Sequence, residues 1–122
     1  MNQARTTLLL TLLALFAGAC SDVSFVEAVT VVNRTDYPAR VEVSNASREE
    51  WLGLTFTRAD AETVVQDVID QGEVWVFRFG YGSRHEEQFT ISRSDLVKAD
   101  WRVEVPQSFE ESLRELSVEP PA

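Results

Sequence analysis

The stretch EVWVFRFGY, residues 73–81, indicates the fold more strongly than any other part of the chain. Its aromatic residues recur at every second position, which is the period of a β-strand. They are Trp75, Phe77, Phe79 and Tyr81. Val74 and Val76 make the opposite face apolar near the start of the segment. Apolar side chains on both faces are typical of a strand inside a sheet, so we expect this strand to be central.

Segments on both sides of this strand show the same alternation. ARVEVS, residues 39–44, alternates apolar and polar side chains as a half-buried strand does. WLGLTFT, residues 51–57, predicts a strand with its large apolar side chains on one side, namely Leu52, Leu54 and Phe56. Further strands are predicted at 25–33, 86–92 and 101–106.

Residues 60–70, DAETVVQDVID, allow two interpretations. The valines recur at helical spacing, and Asp60 is a suitable helix cap. The β-branched residues favour a strand instead, as does DQGE at 70–73, which is short enough for a tight hairpin into the next strand. We favour the strand, which brings the predicted number of strands to seven.

Two short helices are predicted in the last third of the chain. SDLVKAD, residues 94–100, is long enough for one or two turns after Ser94. SFEESLREL, residues 108–116, has stronger signals, because Ser108 and Glu111 match the S-x-x-E capping box. Its apolar residues fall on one face, namely Phe109, Leu113 and Leu116. We expect this helix to close one end or edge of the sheets.

The segments VVNRTDYPARVEV, DQGEVWVFRF and WRVEVP resemble small immunoglobulin-like or transthyretin-like sandwich domains of uncharacterised secreted proteins. The resemblance implies a mainly β fold. We expect a seven-stranded antiparallel β-sandwich of the immunoglobulin-like class with a short C-terminal helix, and the spacing of the predicted strands is what such a sandwich requires. The domain is expected to span residues 25–118, followed by a tail at 119–122.

The first twenty residues, MNQARTTLLLTLLALFAGAC, have the pattern of an export signal. A short polar region with Arg5 precedes an apolar run at 8–16, and small residues at 17–19 lead to Cys20, the only cysteine. This order is that of a secretory signal peptide. A helix that crosses a bilayer needs about 20 apolar residues, so this run is too short to span one.

The sequence AGAC at 17–20 resembles the lipobox of bacterial lipoproteins, in which an aliphatic residue and two small residues precede the cysteine. The resemblance implies that a diacylglyceryl group is attached to the thiol of Cys20 and that the leader 1–19 is removed. Residues 20–24 then form a lipidated tether. Two acyl chains, at about 0.8 kcal/mol for each buried CH₂, hold a protein stably on a membrane.

Two alternatives to lipidation remain open: a plain secreted protein in which Cys20 is an incidental thiol, and an uncleaved anchor.

Ser21 follows the cysteine. In bacteria with two membranes, a serine directly after the cysteine resembles the pattern of lipoproteins that are sent to the outer membrane. We therefore expect an extracytoplasmic protein, lipid-anchored to the cell membrane, or to the outer membrane where the cell has two.

The charge balance limits the possible partners. The chain has 20 acidic and 11 basic residues, a formal net charge of −9, and loss of the leader with Arg5 takes it to −10. Nucleic-acid binding depends on Lys and Arg that neutralise phosphates, so nucleic acid is not expected as a partner. Adsorption to anionic headgroups is disfavoured for the same reason, so membrane attachment has to be hydrophobic.

His85, the only histidine, lies in GSRHEEQF beside Glu86 and Glu87. A metal site or a hydrolase would be built around it, with Asp95 as a possible further ligand. Zinc sites use three or four ligands at recognisable spacing, which this segment lacks. No G-x-S-x-G motif accompanies a serine. We therefore expect a solvated hairpin here, with no metal, no cofactor and no enzymatic activity.

The three tryptophans of the chain are candidates for core or for binding. Trp75 and Trp101 are expected to be core residues. Trp51 follows charged residues at a strand start, so it is the tryptophan we expect to be exposed and the candidate binding residue. Arg78, which lies between aromatic residues, is expected to pair with a carboxylate on a neighbouring strand.

The sequence thus predicts a membrane-anchored lipoprotein that acts as a binding or scaffold module for an unidentified partner. A second hypothesis is a structural subunit of an envelope complex, which docks through a sheet edge or through the 108–116 helix face. A hydrolase or metal-binding protein that uses His85 is the third.

Overall fold

The computed structural model of the chain describes residues 23–121. In chain order the elements are β1 (Phe25–Asn33), β2 (Ala39–Ser44), β3 (Leu52–Thr57), β4 (Ala61–Ile69), β5 (Val74–Tyr81), β6 (His85–Ser92), α1 (Arg93–Lys98), β7 (Arg102–Glu104) and α2 (Gln107–Glu115). The fold is mainly β, as predicted. The strand interpretation of the ambiguous valine-rich segment is confirmed, since that segment is β4.

The strands form two sheets. Sheet A has the order β4-β1-β7, and sheet B has the order β3-β2-β5-β6. The expectation that all strands are antiparallel is wrong, because β7 pairs with β1 in parallel. The reason is that β6 already ends at the end of the molecule where β1 starts, and α1 carries the chain across to sheet A there, so β7 runs in the same direction as β1. An immunoglobulin constant domain instead groups its first, second, fifth and fourth strands in one sheet, an order that is not found here.

The core lies between the two sheets and is built around β5. As predicted, β5 is an inner strand, with β2 on one side and β6 on the other. Trp75, Phe77 and Phe79 are fully buried, and their rings stack along the strand at centroid distances of 6.1 and 6.4 Å. Valines of β1 in sheet A and of β2 in sheet B belong to the same buried cluster.

Strand β3 departs from the predicted pattern. The register between β2 and β3 shifts between Val41 and Glu42, which inserts Leu54 as an extra residue. Leu54 packs on the core, whereas Phe56 is paired with Arg40 and is 64% exposed. The expectation that the large apolar residues of β3 share one side is therefore wrong, because a bulge reverses the faces after it.

The connection at 70–73 is not the tight hairpin that its length indicates. It joins β4 of sheet A to β5 of sheet B, so it crosses from one sheet to the other. Gly72 has a φ of 92°, a value that glycine adopts without strain. Its N–H donates to Asp70 Oδ1 at 2.9 Å, and its carbonyl accepts from Trp75 Nε1 at 3.1 Å.

The crossing between the sheets from β1 to β2 is held by Asn33. Its amide nitrogen donates to the carbonyl of Tyr37 at 2.8 Å and to that of Arg58 at 2.9 Å. Its amide oxygen accepts from the backbone N–H of Thr35 at 3.0 Å. Asn33 and Thr35 are each 1% exposed, so buried side-chain bonds satisfy backbone groups that no strand pairs there.

Helix α1 begins one residue before the predicted start. Ser92 is its N-cap, and the hydroxyl accepts from the backbone N–H of Asp95 at 3.1 Å. Leu96 is the buried residue of the helix. The helix therefore docks through a single apolar side chain.

Helix α2 confirms part of the prediction for 108–116. Phe109 and Leu113 are fully buried, but Leu116 follows the last turn and is 52% exposed. The capping box of Ser108 and Glu111 is wrong, because the helix already begins at Gln107 after Pro106, without a side-chain cap. Pro106 prevents the helix from extending further toward the N-terminus, because the proline ring disfavours a helical conformation of the residue before it.

Glu110 fixes α2 to the connection between β1 and β2. It is 8% exposed and accepts from Arg114 at 2.9 Å and from the backbone N–H of Asp36 at 3.4 Å. Burial raises the pKa of this carboxyl, but the hydrogen bonds from Arg114 and Asp36 outweigh it and hold the pKa below its ordinary value. Glu110 is therefore a buried, paired anion that joins the last helix to the loop after β1.

Candidate functional site

The outer face of sheet B carries a set of paired charges, which we call the outer cluster: Arg40, Glu42, Arg78 and Glu86. Arg78 donates from Nε and Nη2 to the two oxygens of Glu42 at 3.2 and 3.0 Å. Arg40 donates from Nε to the same carboxylate at 3.2 Å, and both arginines lie within 3.7 Å of Glu86. The predicted pairing of Arg78 with a carboxylate on a neighbouring strand is confirmed, since Glu42 lies on β2.

The electrostatics of the outer cluster are local. The hydrogen bonds from Arg78 hold the pKa of Glu42 below its ordinary value, against burial, which acts in the opposite direction. The hydrogen bonds to Glu42 in turn raise the pKa of Arg78. Glu42 and Arg78 are therefore both charged at neutral pH. Their salt bridge connects β2 to β5, and the pairing of Arg78 with Glu86 connects β5 to β6.

Trp51 belongs to the loop that covers the outer cluster. Its ring is half-buried, and the guanidinium carbon of Arg78 lies 4.0 Å from the ring centroid, a cation–π contact. In the same loop Arg48 donates to Gln88 Oε1 at 3.0 Å and to Thr90 Oγ1 at 3.2 Å. Trp51 is thus less exposed than expected, because one of its faces is occupied by Arg78.

The other two tryptophans are core residues, as predicted. Trp75 is fully buried, and Trp101 is half-buried and packs on the core cluster. Their ring centroids are 5.3 Å apart in an edge-on arrangement. This contact joins β5 of sheet B to the segment that leads into β7 of sheet A.

The prediction of a solvated hairpin around His85 is wrong for two of its residues. His85 pairs with Tyr81 and Glu87 pairs with Phe79, so both side chains are on the core-facing side of β6. The His85 ring is 5.9 Å from Phe109, because α2 packs against β6. His85 Nε2 and Glu87 Oε2 are buried and make no hydrogen bond within residues 23–121. Glu86, between them, is exposed.

The ligands considered for a metal site are not brought together. Asp95 is in α1, at the opposite end of β6 from His85. Among the described residues, no group of three or more His, Cys, Asp or Glu side chains is placed to hold a metal ion. His85 and Glu87 are therefore half-buried neighbours on the inner face of β6, and α2 packs over His85.

An apolar groove of about 260 Å³ separates the edges of β3 and β4, and we call it the β3–β4 groove. Both strands are at sheet edges, while both helices pack against β6 on the opposite side. The aliphatic residues that line the groove are Val43, Leu52, Leu54, Val65, Val68 and Ile69. Large exposed hydrophobic residues lie on the same two strands, namely Leu52, Phe56, Val64 and Ile69. The structure thus leaves one apolar side without a helix against it.

The predicted leader 1–19, Cys20 and Ser21 lie outside the described residues. In the part that is described, no helix is long and apolar enough to cross a bilayer. Comparison of the chain with protein-family models, with curated proteins and with solved structures finds no match.

Sequence reasoning missed the β3–β4 groove and the inward orientation of His85 and Glu87. Alternation marks the strands but does not show which of them are edges, so the groove has no local signal. His85 and Glu87 are two residues apart in a segment that was predicted to be a strand, and period two places such residues on one face. That spacing was the available signal.

Proposed function

We propose that this protein is a lipid-anchored extracytoplasmic binding module, attached to the membrane through Cys20. The anchor is supported by the lipobox-like sequence AGAC after a leader too short to span a bilayer. The net charge of −10 without the leader supports a hydrophobic rather than an electrostatic attachment. The binding role is carried by the β3–β4 groove, the apolar side on which no helix packs in the described structure.

The edges of β3 and β4 favour a partner that adds a strand. Edge strands present unpaired backbone N–H and C=O groups, and an added strand gains main-chain hydrogen bonds there. Strand β4 is nine residues long, and Val64 near its middle is 60% exposed. The face of α2 is a weaker candidate, because its apolar residues Phe109 and Leu113 are already fully buried.

We infer that the two sheets form a β-sandwich of the transthyretin-like rather than the immunoglobulin-like class. The order β4-β1-β7 with its parallel pair does not match the sheets of an immunoglobulin constant domain. The single core cluster between the sheets supports the sandwich.

The anchor is tested by metabolic labelling with a palmitate analogue. The wild-type protein is expected to incorporate the label and to enter the detergent phase, and Cys20→Ala is expected to do neither. Equal labelling of the two proteins, or a mature protein in the culture fluid with a free thiol, contradicts the anchor.

The binding side is tested by photo-cross-linking in intact cells. A photoreactive residue in place of Val64 is expected to give a discrete adduct, and one in place of Val97 is the control. Val97 is also an exposed valine, at 51%, but it lies on α1. A discrete adduct from Val97 alone, or no difference between the two positions, contradicts the assignment of the β3–β4 side.

The same experiment separates the free-standing module from the structural subunit of an envelope complex. An adduct that stays in one large assembly after mild detergent extraction supports the subunit. A small adduct with a single partner supports the module.

A further inference from the structure

Four of the nine large exposed hydrophobic residues of the described structure lie toward the end of the molecule where β1 begins. Val23 is 62% exposed, Phe25 is 60%, Ile69 is 39% and Leu52 is 37%. We call these four residues the N-terminal patch. Single exposed hydrophobic residues are ordinary on protein surfaces, but a contiguous group indicates a contact surface.

The strand register makes the patch contiguous. Phe25 and Ile69 are paired across β1 and β4, and the pairing continues through the bond from Asp70 N–H to Ser24 O at 2.9 Å. Ile69 and Leu52 line the same end of the β3–β4 groove. The patch therefore includes residues of both sheets.

The chain that precedes the patch is very short. Three peptide links separate Cys20 from Val23, and at about 3.8 Å per link their Cα atoms are at most roughly 11 Å apart. Five links separate Cys20 from Phe25, which sets a limit of roughly 19 Å. The headgroup layer of one leaflet is itself about 5–8 Å thick. With acyl chains on Cys20, this end of the domain has to lie against the headgroups.

We propose that the N-terminal patch rests in the headgroup region of the membrane that holds Cys20, so that the domain stands on this end. The proposal depends on the lipid anchor proposed above. The free energy falls when apolar side chains leave water for the boundary between the headgroups and the acyl chains. The nearby Asp70 does not oppose this contact strongly, because Arg93 pairs with it at 3.0 Å. The net negative charge indicates a zwitterionic lipid surface rather than an anionic one.

This orientation determines which of the other exposed apolar residues remain in water. Phe56, four residues beyond Leu52 on β3, lies nearer the opposite end of the molecule, roughly 13 Å further along the strand. Val64 is likewise displaced from Ile69 along β4. Both remain in water, where a partner on the β3–β4 side can reach them.

The test uses the lipidated protein in phosphatidylcholine vesicles. Lipidation consumes the only native thiol, so a new cysteine is the single site for an environment-sensitive dye. The label at Ile69→Cys is expected to shift to the blue and to lose quenching by aqueous iodide when the protein is reconstituted. The label at Phe56→Cys is the control and is expected to stay fully quenched.

A pair of substitutions separates membrane contact from general burial. In the Ile69→Cys protein, Phe25→Asp is expected to restore quenching of the label, because a carboxylate is expelled from the boundary region. Phe56→Asp is the matched control, since Phe56 has nearly the same exposure as Phe25 (64% against 60%), and it is expected to change nothing. Circular dichroism of each variant reports whether it is folded.

The outcomes distinguish the anchor from the patch. A protein that floats with the vesicles but whose Ile69 label remains quenched overturns the patch and leaves the anchor standing. A protein that does not float, with a reactive thiol at Cys20, overturns the anchor and the patch with it. Protection of the Ile69 label in native membranes but not in vesicles assigns the patch to a protein partner and overturns the membrane contact.

Discussion

Asn33 has the most specific side-chain role in the described structure, because its amide satisfies three backbone groups where the chain passes between the sheets. Asn33→Asp keeps the shape but removes both N–H donors. The carbonyls of Tyr37 and Arg58 each lose the Asn33 donor and face a charge instead, while the hydroxyl of Thr35 remains 2.9 Å from the carbonyl of Tyr37. We expect a loss of about 1–3 kcal/mol or more in the free energy of unfolding, measured by urea denaturation.

The control for this substitution is Asn45→Asp. Asn45 is exposed, and its side-chain oxygen accepts from the N–H and the hydroxyl of Ser47 at 3.0 and 2.6 Å. A carboxylate still accepts both bonds, so stability should stay nearly constant. Equal effects of the two substitutions would show that Asn33 does not depend on its donors.

The lowered pKa of Glu42 predicts how the stability of the protein depends on pH. Its pKa in the folded protein is held below the ordinary value of 4.5 by Arg78, with a smaller contribution from Arg40. A group whose pKa falls on folding stabilises the protein above its unfolded pKa, and that contribution is lost as pH falls through the folded pKa. The wild-type protein should therefore lose stability progressively below about pH 4.5.

Glu42→Gln removes this pH-dependent contribution. We expect the variant to be less stable by about 1.5–3 kcal/mol at neutral pH and to lose less on acidification, so that the two stability curves converge. Glu115→Gln, at an exposed helical position, is the control. Parallel curves for Glu42→Gln and the wild-type protein, from pH 7 down to the acid transition, would contradict the assignment.

At the residue scale, the sequence predicts a side chain well when its neighbours in the chain determine its environment. The partner of Arg78 was predicted because a charge among aromatic residues on a strand has to be paired. The partial burial of His85 was missed because Phe109, which lies against it, comes from a helix much later in the chain. No property of the GSRHEEQF segment alone indicates that helix.

At the scale of elements, the contrast between an inner strand and an edge strand can be measured on one cross-strand pair. Phe77 on β5 and Phe89 on β6 are directly opposite each other, but Phe77 is fully buried and Phe89 is 38% exposed. We expect Phe77→Ala to cost about 3–5 kcal/mol of unfolding free energy. Phe89→Ala should cost roughly 1 kcal/mol.

Chemical denaturation of both alanine variants under the same conditions gives the comparison. A loss for Phe89→Ala as large as that for Phe77→Ala would mean that β6 is covered by more than helices α1 and α2, for example by a second chain. It would contradict the view of β6 as a partly exposed edge.

The positions of the strands followed from the sequence because alternation is a local property. Their pairing did not follow, because it depends on which connection crosses between the sheets. The DQGE segment is the clearest case, since four residues suit a hairpin and also suit a crossing, and only the packing of Trp75 against Gly72 and the core distinguishes them. The bulge in β3 has no local signal either, so the reversed face of Phe56 was missed.

At the scale of the whole molecule, both sheets share one core, so unfolding should be a single cooperative event. Tryptophan fluorescence reports on Trp75 and Trp101 in the core and on Trp51 over the outer cluster, while far-ultraviolet circular dichroism reports on the sheets. We expect the two signals to change at the same urea concentration. Separate transitions would show that the outer face of sheet B unfolds independently of the core.

The position of β1 has a mechanical consequence. It is the first strand after the proposed tether and the middle strand of sheet A, bonded on one edge to β4 and on the other to β7. In the lipid-anchored form proposed above, a pull on Cys20 acts along this strand, so it loads both rows of hydrogen bonds in shear, and many of them have to break together. A domain attached at this point resists extraction by force better than one attached through an outer strand, which would peel away one bond at a time.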